Sequence, residues 1–384
     1  MGALRVEPAR VQTWATRSAG AVWDIFDVQL LLYAGILVFF GLLMAYSNSV
    51  ATGVLASGST FARSMLWLAI AAAAFVVAAA FDYRWLRTFA WPIYFLNIGL
   101  LVLSKLVGTG VGGVARWVSI FGLQFQFSEL AKILMIIVLA AYLAARRDHL
   151  GTLSTLLGAL VLAVPLVALV LIQPDLGTSM VFVAILAGTL FLAGGSVRWL
   201  LGVAGLGLAA LPVVWTVVLR DYQKARLLSF LDPSADPLGS GYHLIQSQIA
   251  VGSGGLFGKG LANASQAQVG ALPVQTTDFV MALLAQQLGL FGVIVVLVAF
   301  GALLWRILRI GWRSDDTFGL AFAAGMASML LFQLFVNLGM VIGIMPITGI
   351  PMPFVTYGGA SLISIALGLG ILESINLRQA KPRF

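Results

Sequence analysis

Residues 279–305 read FVMALLAQQLGLFGVIVVLVAFGALLW, an apolar stretch without a charged side chain. About 20 mostly apolar residues are enough for a helix to cross the hydrocarbon core of a membrane. The stretch is therefore predicted to form a membrane-spanning helix. Asp278 immediately precedes it. A carboxylate at that position either caps the start of the helix or serves a chemical function at the membrane surface.

The composition of the whole chain extends this prediction. Of 384 residues, 61% are hydrophobic and 9% are charged, and the mean hydropathy is +1.03. Soluble domains carry roughly a quarter charged residues, so the chain is predicted to be a polytopic membrane protein. The net charge of +8 does not indicate nucleic acid binding, because Lys and Arg lie between apolar runs rather than in one patch. The absence of cysteine excludes disulfides, metal–thiolate sites and cysteine nucleophiles.

Ten apolar runs are predicted to span the membrane, so the expected fold is an all-α polytopic membrane protein. They cover residues 28–46, 65–81, 88–104, 127–145, 153–172, 177–195, 199–218, 279–305, 317–345 and 357–377. A large loop of about 60 residues, 219–278, separates the seventh run from the eighth. The expected organisation is a segment at 1–27 without the apolar core of a signal peptide, a ten-helix domain at 28–378 that includes this loop, and a tail at 379–384.

The distribution of Lys and Arg predicts which side of the membrane each segment occupies. An even number of spans places both termini on one side, and the segments on that side then hold fourteen Lys and Arg residues. Seven lie on the other side: Arg63, Lys105, Arg116, Arg220, Lys224, Arg226 and Lys259. Cytoplasmic loops are enriched in positive charge, so both termini are expected in the cytoplasm and the large loop outside.

Three ionisable residues in or next to the predicted spans stand out, because charge is costly there. Glu129 and Lys132 are three residues apart in the fourth run, which puts them on one helix face. They are either a neutral pair that aids packing or the charged wall of a cavity. Asp175 lies in the turn QPDLG, where it either caps the next helix or contacts Lys132.

The large loop contains two informative stretches. GYHLIQSQIAVGS, residues 241–253, has apolar and polar positions at helical spacing and predicts an amphipathic helix on the outer membrane surface. GSGGLFGKG, residues 252–260, departs from the Walker pattern, because Ser253 occupies its first glycine position and Gly260 follows Lys259. These glycines either form turns or present backbone N–H groups to a lipid-linked phosphate.

Two other connections carry residues that suit a membrane boundary. Arg116 lies beside Trp117, a pair typical of membrane anchoring, although an Arg that faces a cavity would bind phosphate. MPITGIPMPFVTYGGAS, residues 345–361, contains three prolines and three glycines. Irregular backbone at membrane depth lines a cavity or is buried in protein, so this stretch predicts a transport site or a turn that shapes a lipid groove.

Five stretches, in this order along the chain, resemble motifs of the SEDS family (shape, elongation, division and sporulation proteins). They are ARWVSIFGLQFQFSELAKI, QPDLGTSMV, FLDPSADPLGSGYHLIQSQIAVGSGGLFGKG, LPVQTTDFVMALLAQQLG and MPITGIPMPFVTYGGASLI. With the ten-run pattern, the resemblance covers nearly the whole chain, and GYHLIQSQIAVGSG is more similar to elongation-type than to division-type members. The family polymerises peptidoglycan strands from lipid II, and it works with a class B penicillin-binding protein that cross-links them.

The resemblance implies a glycosyltransferase of the bacterial cytoplasmic membrane that makes glycan strands on its outer face and releases polyprenyl diphosphate. It places the essential acid of the family's large outer loop at Asp278, the candidate general base. The candidate substrate contacts are Arg116, Glu129, Lys132, Asp175, Arg226, His243, Gln248 and Lys259. A lipid II flippase, a division-type polymerase and a non-catalytic scaffold for cell-wall enzymes are the alternatives.

The chain departs from the family pattern around this candidate site. Phe127 replaces a proline, Val274 replaces an acid after Pro273, and Gln286-Gln287 replaces two acids. Either a supporting Glu or His is not needed in this chain, or metal and acceptor binding differ. No His/Asp/Glu cluster has the spacing of a dedicated metal site, and the cofactor considered is a loosely held Mg²⁺ or Mn²⁺ that bridges Asp278 and the diphosphate.

Overall fold

The computed structural model describes residues 26–51, 59–108, 117–120, 123–233, 241–261 and 278–379. The helices are α1 (Val28–Ala51), α2 (Thr60–Ala80), α3 (Arg84–Thr88), α4 (Ala90–Val107), α5 (Phe127–Ala145), α6 (Leu153–Ile172), α7 (Leu176–Leu192), α8 (Val197–Val213), α9 (Asp221–Leu231), α10 (Tyr242–Gly254), α11 (Val280–Arg313), α12 (Thr317–Ile342) and α13 (Gly359–Gln379). A 3₁₀ turn, Arg147–His149, follows α5, and a π-helical turn, Val214–Val218, continues α8.

All ten predicted runs correspond to helices. Nine of the described helices, with α8 taken together with its π-helical turn as residues 197–217, are long and apolar enough to cross a membrane. A tenth, α7, is apolar but has 17 residues. The prediction of an all-α polytopic fold is confirmed, with one small addition. Strands β1 (Val118–Ile120) and β2 (Leu123–Phe125) form an antiparallel hairpin before α5, in which Val118 pairs with Phe125.

Short polar side chains begin several of these helices. Ser59, Thr152 and Asp316 accept hydrogen bonds from backbone N–H groups in the first turns of α2, α6 and α12. Such caps satisfy donors that have no partner within a helix. At its other end α12 stops at Gly343, which adopts a left-handed conformation with φ of +82°. The helix boundaries therefore follow from local chemistry.

The core of the bundle surrounds α5. All but a few residues of this helix are buried, and it packs against α4, α7, α12 and α13. A helix that is apolar on every side is stable only when other helices enclose it, as they do here. By contrast, no residue of α8 is buried, and α8 packs at the edge of the bundle against α7. The bundle therefore has one enclosed central helix and one peripheral helix.

Both ends of the described chain lie on one face of the bundle, which we call the terminal face. Asp27, just before α1, forms an ion pair with Arg306 of α11 at 2.6 Å. Its backbone N–H donates to Glu373 of α13 at 3.0 Å, and Arg378 donates to backbone carbonyls at the end of α2. The opposite face, which we call the site face, carries the β-hairpin, α9, α10 and the start of α11.

Candidate active site

A break in α11 shapes the site face. Gly289 has φ of +68° and ψ of −168°, values outside the helical range that glycine adopts without a Cβ clash. The break separates a half-helix (residues 280–288) from the longer part of α11. Residues 280–287 of the half-helix are all buried. Asp278 precedes this buried half-helix, so an acid lies at the start of a short enclosed element.

The break also removes two hydrogen bonds from the α11 backbone. In an unbroken helix the N–H groups of Leu290 and Phe291 would donate to the carbonyls of Gln286 and Gln287. A break leaves two donors and two acceptors that need other partners. These partners come from the bridging loop, residues 254–260, which follows α10.

The bridging loop replaces the missing bonds one for one. The N–H groups of Lys259 and Gly260 donate to the two glutamine carbonyls at 2.9 and 3.0 Å. The two freed N–H groups of α11 donate to the carbonyls of Gly255 and Leu256 at 2.9 and 3.1 Å. The glycine-rich stretch therefore forms turns, as one of its two interpretations predicted. Since the N–H groups of Lys259 and Gly260 are occupied, the phosphate-cradle alternative is not supported.

Asp278 is half-buried and lies between α11, α12 and the irregular segment 343–358. A Cβ built on Gly349, which has φ of +72°, would lie 3.6 Å from Asp278 Oδ2, so the carboxylate lies against this glycine. The buried Asn337 of α12 donates from Nδ2 to the backbone carbonyl of Asp278 at 3.1 Å. The same amide donates to the carbonyl of Ile350 at 2.9 Å. Phe279, not Asp278, occupies the N-cap position of the half-helix.

The start of α7 packs against the same irregular segment. A Cβ at Gly177 would lie 2.6 Å from the carbonyl oxygen of Thr348, so a side chain there would force the two backbones apart. Asp175 caps α7, because its Oδ1 accepts from the N–H of Thr178 at 3.0 Å. Its Oδ2 accepts from Gln126 Nε2, before α5, at 3.3 Å. Capping by Asp175 is confirmed, and the residue also connects the starts of α5 and α7.

A buried ion pair lies in the first turns of α5. Lys132 Nζ is 2.8 Å from Glu129 Oε1, and the two side chains are 2% and 5% exposed. Glu129 lies in the first turn, where the helix dipole favours negative charge. The predicted contact on one helix face is confirmed. Because α5 begins beside Gln126, this pair belongs to the same end of the bundle as Asp175.

The predicted amphipathic helix forms α10, and its buried face packs on α11 and α12. The ring of His243 stacks on Phe279, with centroids 6.3 Å apart and an angle of 28° between the planes. Burial, and secondarily the positive charge of Arg226 on α9, holds the pKa of His243 below its usual value. Gln248 donates to the carbonyl of Ile342 at 3.3 Å, which satisfies an acceptor at the end of α12.

The candidate residues therefore separate into groups. His243 contacts the residue next to Asp278, whereas Lys259 binds through its backbone to Gln286, about 12 Å along the half-helix from Asp278. Arg226 is exposed on α9. Arg116 lies outside the described residues, as do residues 262–277, which include the departures at Pro273 and Val274.

Two residues gain a physical explanation that the sequence did not suggest. Asn337 was not predicted as a site residue, although an amide inside the apolar run of α12 was a signal for it. Gln286, one of the two replacements for acids, donates from Nε2 to Ser253 Oγ of α10 at 3.2 Å. An ionised carboxylate could not donate this bond, so the amide suits its buried position.

Two small apolar clefts lie near the half-helix. One, between α1, α2 and residues 354–362, has Gly41, Trp67 and Tyr357 in its lining. The other is lined by Gly41, Tyr357 and residues of the half-helix that include Val280. The shared lining residues make the two clefts neighbours on the site face. Among the described residues, no three His, Asp or Glu side chains come together as a metal site would require.

These features define a polytopic helical membrane protein with an acid, a buried ion pair and apolar clefts towards one face. The model of the FtsW/RodA/SpoVE family of cell cycle proteins matches residues 28–381, and the chain belongs to this family. The chain is 38% identical over 359 residues to peptidoglycan glycosyltransferase MrdB of Escherichia coli strain K12, covering 92% of this chain and 95% of that protein. It is 36% identical over 360 residues to a probable peptidoglycan glycosyltransferase FtsW of Geobacter metallireducens, with coverage of 92% and 95%.

Solved structures show the same fold. One of them is a chain from a peptidoglycan synthase complex that coordinates polymerization and crosslinking. It matches with a TM-score of 0.77 at 30% identity. The match covers 92% of this chain and 98% of that one. The rod shape determining protein RodA of Thermus thermophilus has a TM-score of 0.68 at 27% identity, with coverage of 94% and 99%. The chain is therefore a multi-pass membrane protein of this family.

Proposed function

We propose that this chain is a peptidoglycan glycosyltransferase that polymerises lipid II into glycan strands during cell elongation. Its relatives in E. coli and G. metallireducens are named peptidoglycan glycosyltransferases. The observation that carries the mechanism is the half-buried carboxylate of Asp278, which the structure holds at the start of a buried half-helix. The similarity to MrdB and RodA supports elongation rather than division as the cellular role.

Asp278 serves as the general base in this proposal. The 4-hydroxyl of the acceptor sugar is a poor nucleophile, and Asp278 accepts its proton as the oxygen bonds to C1 of the donor sugar. The bond from C1 to the diphosphate oxygen breaks, and polyprenyl diphosphate leaves. A positioned base of this kind accelerates a reaction by about 10²–10⁴-fold.

The remaining candidates supply charge and hydrogen bonds to the substrate. Cationic groups stabilise the negative charge that develops on a departing diphosphate. The cationic candidates are Lys132 on α5, Arg226 on α9, whose charge acts on His243, and Arg116. His243 borders the site through Phe279, whereas Gln248 and Lys259 contribute to the scaffold through the contacts already given. Glu129 and Asp175 hold Lys132 and the start of α7 in place.

A resident Mg²⁺ or Mn²⁺ finds no dedicated ligand set in the part of the chain that the structure describes. Titration of activity with EDTA and with each cation would test whether a divalent ion enters with the diphosphate.

The proposed orientation places both termini in the cytoplasm and Asp278 outside. It rests on the excess of Lys and Arg on the terminal face. In this Cys-free chain, Ala225→Cys on α9 should react with a membrane-impermeant maleimide in intact cells, and Asp148→Cys should react only after lysis. The reverse pattern would place the site face in the cytoplasm and would remove access to an external lipid substrate.

A class B penicillin-binding protein is the proposed partner. The support is the similarity to a chain from a peptidoglycan synthase complex. Co-expression with a tagged penicillin-binding protein of this class from the same organism should recover both chains in one complex. The control is an unrelated tagged single-span membrane protein. If it recovers as much of this chain as the penicillin-binding protein does, the partnership is contradicted.

The deciding experiment measures glycan strands. Purified protein, with and without the partner, is incubated with lipid II, and the products are separated by length. Long strands from the wild type and none from Asp278→Asn would support polymerisation by this chain. Movement of lipid II across vesicle membranes without strand synthesis would favour a flippase instead.

A further inference from the structure

We infer that the bridging loop, residues 254–260, inserts into the lipid bilayer on the site face. Its tip carries Leu256 and Phe257, whose side chains are 64% and 83% exposed. Exposed apolar groups of this size indicate contact with lipid or with another protein. The loop belongs to a connection between spans, so membrane insertion here goes beyond the ten-helix arrangement and does not depend on the proposed reaction.

The first argument for lipid is continuity with a lipid-facing stripe on α11. Large exposed apolar side chains recur at helical spacing along the long part of this helix: Phe291, Ile294, Val298, Trp305 and Trp312. The two tryptophans lie beside arginines on the terminal face, as expected at a membrane boundary. From Trp305, next to the terminal-face Arg306, to Phe291 the helix rises about 21 Å, which is within a hydrocarbon core of about 30 Å. Phe291 therefore belongs to the lipid-facing part of α11, towards the opposite boundary of the hydrocarbon core.

The second argument is the position of the loop at that boundary. The N–H of Phe291 donates to the carbonyl of Leu256 at 3.1 Å, so the loop tip lies at the same depth as the end of the stripe. Lys259 is exposed three residues after Leu256. A lysine at this level extends its ammonium group to the lipid phosphates while its methylene groups remain in apolar surroundings.

The third argument is the backbone of the loop. Irregular backbone is stable in contact with lipid only when its polar groups have partners within the protein. The carbonyls of Gly255 and Leu256 and the N–H groups of Lys259 and Gly260 all bind the backbone of α11, and the N–H of Gly258 binds Gly254 at 2.8 Å. These five bonds satisfy much of the loop backbone from within the protein, as contact with lipid requires.

Insertion of the loop would fix the depth of the half-helix to which it is bonded. Through the half-helix it would also set the height of Asp278 relative to the membrane surface. The loop is therefore a membrane anchor for the site face rather than a ligand-binding loop.

The test measures depth directly in this Cys-free chain. Phe257→Cys is labelled with an environment-sensitive nitrobenzoxadiazole dye, and the full-length protein is placed in nanodiscs of phosphatidylethanolamine and phosphatidylglycerol. Val298→Cys, in the middle of the lipid-facing stripe, is the control for deep lipid. Asp148→Cys, exposed after α5 on the terminal face, is the control for water. Quenching is compared for aqueous iodide and for lipids that carry a nitroxide near the top of the acyl chain.

We expect the dye at position 257 to resist iodide, to be quenched by the nitroxide lipid and to emit at shorter wavelength than the dye at position 148. A dye at Lys259→Cys should respond instead to a headgroup nitroxide. Iodide quenching at 257 equal to that at 148 would overturn the inference. So would protection that arises only when a penicillin-binding protein is added, since the tip would then be a protein-docking surface.

Discussion

Asn337 holds the backbone of Asp278 from the neighbouring helix, since its Nδ2 donates to the Asp278 carbonyl across 3.1 Å. The same amide also donates to the backbone carbonyl of Ile350. Ile350 follows Gly349, the glycine against which the Asp278 carboxylate lies. One fully buried side chain thus connects both pieces of irregular backbone that border the acid. This arrangement makes Asn337 a positioning residue for Asp278.

Replacement of Asn337 tests this relationship. Asn337→Leu keeps the size of the side chain but leaves two carbonyls without a donor, at a cost of about 1–3 kcal/mol for each one that is buried. We expect a lower melting temperature and a lower rate of strand synthesis, both measured on detergent-purified protein. The conservative Asn337→His, which keeps one ring N–H donor, should restore part of the rate.

Gln333 provides a matched control for Asn337. It is a fully buried amide one turn earlier on α12, and neither of its amide atoms has a hydrogen-bond partner among the described residues. Gln333→Leu should therefore preserve both stability and activity. Equal losses in the two leucine variants would mean that any buried amide of α12 matters and that the contact to Asp278 does not.

The Glu129–Lys132 pair predicts a strong asymmetry between single and double substitutions. Removal of one partner leaves a buried charge uncompensated, which costs about 3–5 kcal/mol. Glu129→Gln and Lys132→Met should each reduce the yield of folded protein, and the exchange Glu129→Lys with Lys132→Glu should recover part of it. Recovery should be incomplete, because lysine would then occupy the first turn of α5. Normal folding and activity of either single variant would reduce the pair to a packing contact.

His243 predicts a loss of stability in acid. Its pKa is held below the usual value of 6.5, so the unfolded chain binds a proton at a higher pH than the folded protein does. The stabilisation is fully present above pH 6.5 and is lost as the pH falls towards the lowered folded pKa. His243→Phe, which keeps a ring against Phe279, should reduce the fall in melting temperature between pH 7 and pH 5. Arg226→Gln should also reduce it, since Arg226 contributes to the shift. An unchanged fall in both variants would contradict this assignment.

The break in α11 depends on glycine. Gly289→Ala puts a Cβ on a residue with φ of +68° and within 2.5 Å of the Leu256 carbonyl, so we expect misfolded or aggregated protein in size-exclusion chromatography. A methyl group added at Gly301, on the same helix, would meet no atom of the described residues within 4 Å, and Gly301→Ala should be tolerated. A well-folded Gly289→Ala protein would indicate that α11 can continue without the break.

The spans could be predicted from the sequence because a helix that crosses the membrane needs about 20 consecutive, mostly apolar residues. The break at Gly289 was hidden for the same reason: a single glycine in an apolar run does not interrupt that pattern. Its partner, the bridging loop, lies about 30 residues earlier in the chain, and pairing of distant backbone groups leaves no periodic pattern. The β-hairpin before α5 was missed because each strand has three residues.

The site residues that the sequence predicted are ionisable groups in or next to membrane spans. Asp278, Asp175 and the Glu129–Lys132 pair were conspicuous because ionisable groups near spans are costly. Asn337 was not, because an uncharged amide in a long apolar run is compatible with simple packing. Its contacts in the structure define its role. Gln248, for which substrate binding stays a prediction, also donates to the last turn of α12.

Asp278→Asn is the most direct test of the proposed chemistry, because the amide keeps the size of the side chain but cannot accept the hydroxyl proton. The backbone carbonyl that Asn337 binds is unchanged, so the variant should fold and assemble with its partner. Strand synthesis from lipid II should fall by about 10²–10⁴-fold, the range of general-base catalysis. Asp278→Glu should recover little, since an added methylene moves the carboxylate by about 1 Å, enough to cost about 10²-fold. The rates are compared at equal amounts of folded protein, with Gln333→Leu as the control for substitutions on the site face. Near-normal strands from a folded Asp278→Asn protein would end the assignment of Asp278 as the base.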